Sequence, residues 1–465
     1  MRARRYLLAW GTFLCAAVLS LPYGAAPAWA DPAATPAEIQ RSLDQYAAQF
    51  HGVAVVAVVV DNGTSAVYAA GTAGPSGAKP DERTLFQIGS VTKTFTGTLL
   101  GTMVLDGSVK LTDPISKYLP PGVTAPAYAG QPMTLESLAE QNSGLPPIPS
   151  NLKPANQADP FADYTAPMLW SFLSHYKLTR APGEQYEYSN LGVGLLGELL
   201  ALRAKTTYGN LLAERVLHPL GMSATTLALA PAGCGKPVQG YTIDGEPAQP
   251  MAFRELAAAG GLCSDARDMQ AYLKANLAAP AGPLGKAMAL AQEPRADFED
   301  AGHNAKIGLV WMTDPRTGIV WHNGSLRGYH AYIGFDRAAK TGVVVLASVA
   351  DPNVDILGMH VLQPDAVSAP APWPAAVSLP AATLDSYVGV YAFKPDFQMT
   401  VTRDGERLYA QAGTQPRFRI YPSSPTEFFF KAVDAQITFQ ADASGKVTRL
   451  VLHEGGGDAP APKIK

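Results

Sequence analysis

Cysteine is scarce and charge is thin. The chain of 465 residues carries three cysteines, and charged residues make up 16% of it, against roughly 25% in an average globular protein. Lys and Arg number 36 and Asp and Glu 39, for a formal net charge of −3. No Lys/Arg cluster supplies the local basic field that a nucleic-acid partner requires. The eight histidines are scattered, and neither Cys-x-x-Cys nor His-Glu-x-x-His occurs, so no metal site and no cofactor are expected. Hydrophobic content of 47% excludes a disordered chain. The one sustained apolar run, Tyr6 to Leu21, is too short and too interrupted for a membrane span.

That run has a different meaning. Arg2, Arg4 and Arg5 precede it, and Ala28-Trp29-Ala30 follows with small residues where a signal peptidase cuts. Residues 1–30 read as a signal peptide, which makes the protein periplasmic or secreted. Export leaves Cys234 and Cys263, which in an oxidising compartment either form a disulfide or remain buried thiols.

The remaining length, about 435 residues, suggests two domains. Pro36 to Gln49 is amphipathic and reads as a helix. Val53 to Val60 and Ser65 to Ala70 flank Asp61-Asn62-Gly63, a strong hairpin signal. Residues 111–284 alternate helix-like segments with proline loops, and Leu309 to Ser348 returns to strand character. Early and late strands around a helical middle predict one sheet built from distant segments, with the helices as an inserted lobe. Residues 31–362 form this first domain. Pro, Ala, Ser and Val dominate 363–382, a linker. Residues 383–454 alternate as seven short strands with turns at Asp404-Gly405 and Ser444-Gly445, predicting a small antiparallel β domain. Residues 455–465 read as a disordered tail.

Chemistry concentrates at Ser90-Val91-Thr92-Lys93, where a strand and loop turn into the helix predicted over Val91 to Leu105. Unsatisfied N–H groups at a helix start favour a developing alkoxide, and a lysine three residues on lies on the same face. To act as base, Lys93 has to be neutral, which burial or a nearby positive charge promotes. Ser76-Gly77-Ala78-Lys79 and Ser174-His175-Tyr176-Lys177 share the pattern but lack a helix start. Tyr188-Ser189-Asn190 follows a Pro-Gly loop and opens another helix. Tyr188 can shuttle a proton, and the Asn190 amide can hold a substrate carbonyl. His322-Asn323-Gly324-Ser325 begins after a short strand ending at Trp321. Gly324 allows close approach of a substrate, the Ser325 N–H could join that of Ser90 in an oxyanion hole, and His322 offers a donor or a positive charge. Lys340-Thr341-Gly342 reads as an ordinary turn between strands.

In this order the three elements resemble the class C β-lactamase and penicillin-binding-protein superfamily of serine hydrolases. Phe86 to Phe95 looks like its nucleophile segment, and Asn142-Ser143-Gly144-Leu145-Pro146 resembles its His-Thr-Ser-Gly-Leu-Pro loop. Gly260-Gly261-Leu262 with Asp268-Met269, and Trp321 to Ala347, are similar to later segments. The likeness covers about residues 35 to 362 and leans towards the AmpH-type D-alanyl-D-alanine carboxypeptidase/endopeptidases. It implies a β-lactamase/transpeptidase-like fold, an antiparallel sheet flanked by helices plus an all-helical lobe. It also implies a lipocalin-like domain after it. Ser90, Lys93 and Tyr188 are then catalytic, while Asn190 and His322 to Ser325 bind substrate. His322 departs from the pattern, standing where true class C β-lactamases carry the lysine of Lys-Thr-Gly. The expectation is a serine D,D-peptidase acting on D-Ala-containing peptidoglycan peptides, acylated by penicillins but poor at hydrolysing them. An esterase or D-amino-acid amidase with the same residues is the alternative, and an inactive penicillin-binding sensor a further one.

Overall fold

A computed structural model describes residues 34–228, 235–278, 281–300 and 303–465. The expected signal peptide and Cys234 lie outside the described residues. Cys263 is buried and disulfide-bonded. The chain divides into two compact units between Pro370 and Ala371.

The first unit is organised by one antiparallel sheet. Helix α1 (Pro36–Ala47) starts at a capping box between Thr35 and Glu38. Strands β1 (Ala54–Asp61) and β2 (Thr64–Gly71) then form the expected hairpin, with Asn62 and Gly63 at φ 46° and 85° in the turn. The late strands are β5 (Met312–Thr313), β6 (Val320–Leu326), β7 (Tyr329–Asp336) and β8 (Thr341–Ala347). A hairpin not expected from the sequence, β3 (Ala296–Asp300) and β4 (His303–Ile307), completes the order β3-β4-β5-β6-β7-β8-β1-β2. The first hairpin thus pairs with a strand almost 300 residues later, Val58 lying opposite Val344.

The valine-rich run of β1 serves two cores at once. Ala54, Val56, Val58 and Val60 enter one, while Val55, Ala57 and Val59 enter the other. That explains an almost continuous apolar run in an antiparallel strand, because both faces of the central strands are covered. Helix α1 and a late helix, α6 (Asn353–Leu362), close the back face. On the front lie α2 (Thr92–Leu105), α3 (Asn190–Ala204) and α5 (Ala266–Ala278), with the one-turn helix α4 (Ala257–Gly260) between them. Among the described residues no helix is long and apolar enough to cross a membrane.

The second unit is an eight-stranded antiparallel meander, preceded by helix α7 (Ala381–Tyr387). Its strands are β9 (Gly389–Lys394), β10 (Phe397–Asp404), β11 (Arg407–Ala412), β12 (Phe418–Pro422), β13 (Glu427–Phe430), β14 (Ala435–Ala441), β15 (Val447–Glu454) and β16 (Gly457–Pro462). Tyr387, Tyr391, Phe428, Phe430 and Phe439 fill the interior of this barrel. Part of the expected linker belongs here: Val377 N–H donates to Pro422 O, and Lys431 Nζ lies over the Trp373 ring.

The expected disordered tail is corrected outright. Gly455 and Gly456 take φ 58° and 75° in a tight turn, and residues 457–462 return as β16 along β15. Lys463 N–H donates to Thr448 O and Ile464 N–H to Val390 O, so alternate amides face β15 and β9. Pro460 and Pro462 fall on the β9 side, where they donate nothing. The seam is therefore carried by the Tyr391–Lys463 bridge and by Val390 N–H to Lys465 O, and the barrel is nearly closed.

Candidate active site

Ser90 sits where the first unit's front helices meet the sheet. Phe86 and Gln87 pair with Ser264 and Cys263, and the Gln87 amide bonds Met251 through both its N and its O. Gly89, at φ 51°, turns the chain into a 3-10 segment, Gly89–Val91, that runs into α2. Ser90 is half-buried at that junction.

One turn later Lys93 is fully buried. Its Nζ lies 2.9 Å from Ser90 Oγ, 2.7 Å from Asn190 Oδ1 and 2.7 Å from Ala259 O. An ammonium uses all three hydrogens on these oxygens. A neutral amine donates to two and turns its lone pair to the Ser90 hydroxyl, the arrangement needed to remove that proton. The Tyr188 ring centroid is 4.7 Å from Nζ, and the residue packs against the cluster of Phe298, Ile307 and Met312.

The segment bearing Tyr188 and Asn190 is held by the loop that resembled a family motif. Ser189 caps α3 by accepting from Gly192 N–H, donates its hydroxyl to Pro146 O, and donates its N–H to Gln141 Oε1. Close packing brings α3 against the start of α4. A Cβ on Gly194 would meet Leu256, and one on Gly197 would sit 2.2 Å from Ala258 Cβ. Ala259 O is a contact of the Lys93 amine that sequence reasoning missed. The small run Ala257-Ala258-Ala259-Gly260-Gly261 was the available signal, since only small residues permit such an approach.

His322 to Ser325 lie within β6, not beyond its end as expected. Successive strand residues face opposite ways. His322 points to the front with no exposure, donating from Nδ1 to Asn323 O at 2.6 Å. Burial first, and then the Lys93 charge, lower its pKa to about 3. The imidazole is neutral, its Nε2 is an acceptor without a partner, and the expected donor or positive charge is not offered. Asn323 is also corrected: its side chain turns to the back face and donates to Asp355 at 2.6 Å. Gly324 has no room for a side chain, since a Cβ would lie 2.1 Å from Ile88 O and 2.8 Å from Ser90 N. A Cβ on Gly89 would approach Ser325 N to 3.2 Å. The backbone nitrogens of Ser90 and Ser325 therefore both lie beside the close contact between Gly89 and Gly324.

The remaining sequence candidates lie elsewhere. Ser76 precedes Gly77, which turns at φ 71°. Ser174 Oγ accepts from Thr124 N–H, and Thr341 pairs with Asp61 and Asp336 in the sheet. Among the described residues no group of three His, Cys, Asp or Glu is arranged to hold a metal ion.

Residues 39–366 match the β-lactamase family, and residues 374–462 match a domain of unknown function, DUF3471. The D-alanyl-D-alanine-carboxypeptidase/endopeptidase AmpH of Escherichia coli is 30% identical over 364 residues, covering 73% of this chain and 91% of its own. A β-lactamase of Pseudomonas fluorescens is 29% identical over 332 residues, covering 64% and 88%. Among solved structures, a β-lactamase/D-alanine carboxypeptidase from Yersinia pestis superposes with TM-score 0.60 at 27% identity, over 70% of this chain and 97% of that one. With a buried lysine on a helix-start serine and a family match over most of its length, this chain belongs to the β-lactamase family and is a serine hydrolase.

Proposed function

We propose that the protein is an exported D,D-peptidase that cleaves D-Ala-containing peptidoglycan peptides through an acyl-enzyme on Ser90. The observation that carries this reading is the Lys93 amine, 2.9 Å from the Ser90 hydroxyl and oriented by Asn190 and Ala259. Lys93 takes the hydroxyl proton as Ser90 Oγ attacks the carbonyl carbon. The Ser90 and Ser325 N–H groups receive the oxyanion. Collapse breaks the peptide bond, and the amine of D-alanine leaves with a proton passed through Lys93 and Tyr188. Water then hydrolyses the ester and returns the proton to the serine. Asn190 keeps Nδ2 as a donor to the substrate, and the Ser325 N–H lies on the outer edge of β6, where an extended peptide can align. The activity named for AmpH supports this substrate class.

Neutral His322 supports a second reading. A site without a cation there lacks a counter-charge for a substrate carboxylate, which suits ester or amide donors that carry none. Incubation with benzylpenicillin, intact mass spectrometry and peptide mapping test the nucleophile, and digestion of cross-linked muropeptides tests the substrate. An adduct on Ser90 with released D-alanine is the expected result. An adduct with fast ester turnover and intact muropeptides would replace the peptidase by the esterase.

A further inference from the structure

At its active-site end β6 is hydrogen-bonded to a neighbouring strand on one side only. Strand β5 pairs with Val320 and Trp321 and no further, so His322 to Leu326 are laddered to β7 alone. The two-residue turn Arg327-Gly328 makes Leu326 and Tyr329 the closing pair, which directs alternate amides, including that of Ser325, away from β7. The oxyanion donor thus hangs on an unpaired edge.

Its support comes from behind the sheet. Asp355, on α6, accepts from Asn323 Nδ2 at 2.6 Å through one oxygen and from His330 Nε2 at 2.8 Å through the other. Asn323 lies between His322 and Gly324, and His330 is the cross-strand partner of Ser325. All three side chains are buried, at 4%, 3% and 5% exposure for Asn323, His330 and Asp355. The same layer is tied to α1, because Tyr46 donates to Asp351 at 2.7 Å just ahead of α6. We infer that Asp355 is a positioning residue for acyl transfer: its carboxylate clamps β6 to β7 from the back face and so fixes the Ser325 N–H against Ser90. This rests on the acyl-enzyme reading above.

The test uses the full chain and the rate constant for acylation of Ser90 by benzylpenicillin, followed by quench and intact mass. Three substitutions separate the contributions. Asp355→Ala removes both bonds, Asn323→Ala removes one, and Asn323→Asp sets two carboxylates face to face. Each should slow acylation by ~10- to 100-fold, the scale of an ångström of misplacement, with little change in the concentration giving half-maximal rate. Asn323→Asp combined with Asp355→Asn inverts donor and acceptor and should recover the rate to within about threefold of the parent. A merely structural role would lower the fraction of protein that is labelled and leave the rate constant of the labelled fraction untouched. Parent-like rate constants in Asp355→Ala, or in Asn323→Ala where the first variant does not fold, would overturn the clamp while leaving the nucleophile in place. Parent protein that forms no adduct on Ser90 would overturn the acyl-enzyme reading and the clamp with it.

Discussion

Adding one methyl group at Gly324 is the sharpest perturbation the active site allows. A Cβ there would stand 2.1 Å from Ile88 O, 2.8 Å from Ser90 N and 3.0 Å from Val91 N, all backbone atoms of the nucleophile turn. Backbone cannot rotate away as a side chain can, so β6 and the turn must part by roughly an ångström, and a misplacement of that size costs about 10²-fold in rate. Loss of one oxyanion donor alone costs ~3 kcal/mol, which falls in the same range. Overpacking of this kind costs ~1–3 kcal/mol in stability, enough to lower the melting temperature by several degrees without unfolding the unit. Gly324→Ala should therefore remain folded at 25 °C yet acylate on benzylpenicillin at least ~100-fold more slowly than the parent, measured by quenched mass spectrometry. Acylation within about threefold of the parent by a folded variant would refute the placement of the Ser325 N–H as an oxyanion donor.

Other perturbations test the neighbouring groups. Ser90→Ala should form no covalent adduct with benzylpenicillin, and an adduct elsewhere would redirect attention to Ser76 or Ser174. Lys93→Ala should slow acylation by ~10⁴-fold or more, since groups acting as one unit lose nearly all function singly. His322 supplies a pH test. Its folded pKa of about 3 lies below the unfolded value of about 6.5, so acid favours the unfolded chain. Its burden begins below pH 6.5 and grows until about pH 3, reaching roughly 2 kcal/mol at pH 5. Asp351 works the other way, because burial lifts its pKa to about 6 and protonation of the folded form below that value relieves a buried charge. His322→Gln should consequently lose less melting temperature between pH 7 and pH 5 than the parent. Equal losses would mean that the imidazole is not held neutral.

How far the sequence could be read varied with the physics involved. Asn62-Gly63 announced the first hairpin because few residues other than Asn and Gly accept left-handed backbone. Ser90 stood out from Ser76 and Ser174 by its place at a helix start. The β barrel was legible strand by strand until its last member, where two prolines and a glycine run mimic a loose tail although an edge tolerates proline. Ala259 was missed for another reason: a carbonyl oxygen belongs to every residue, and only the small run around it hinted at the close approach. Asn323 was misassigned because a motif was read as a string, while the strand's pleat sends its neighbours to one face and its own side chain to the other. Neutral His322 could not be foreseen, since burial is a property of the assembled core.

Strand β16 makes the far end of the chain part of the barrel's wall. Removing residues 455–465 would bare β15 from Thr448 to Glu454, together with the amide of Val390 on β9. Two open strand edges on one small domain are templates for pairing between molecules. Such a truncation should express as dimers or aggregates, and the practical corollary concerns handling: an affinity tag fused after Lys465 emerges from the seam itself, whose closing bonds run through residues 463–465.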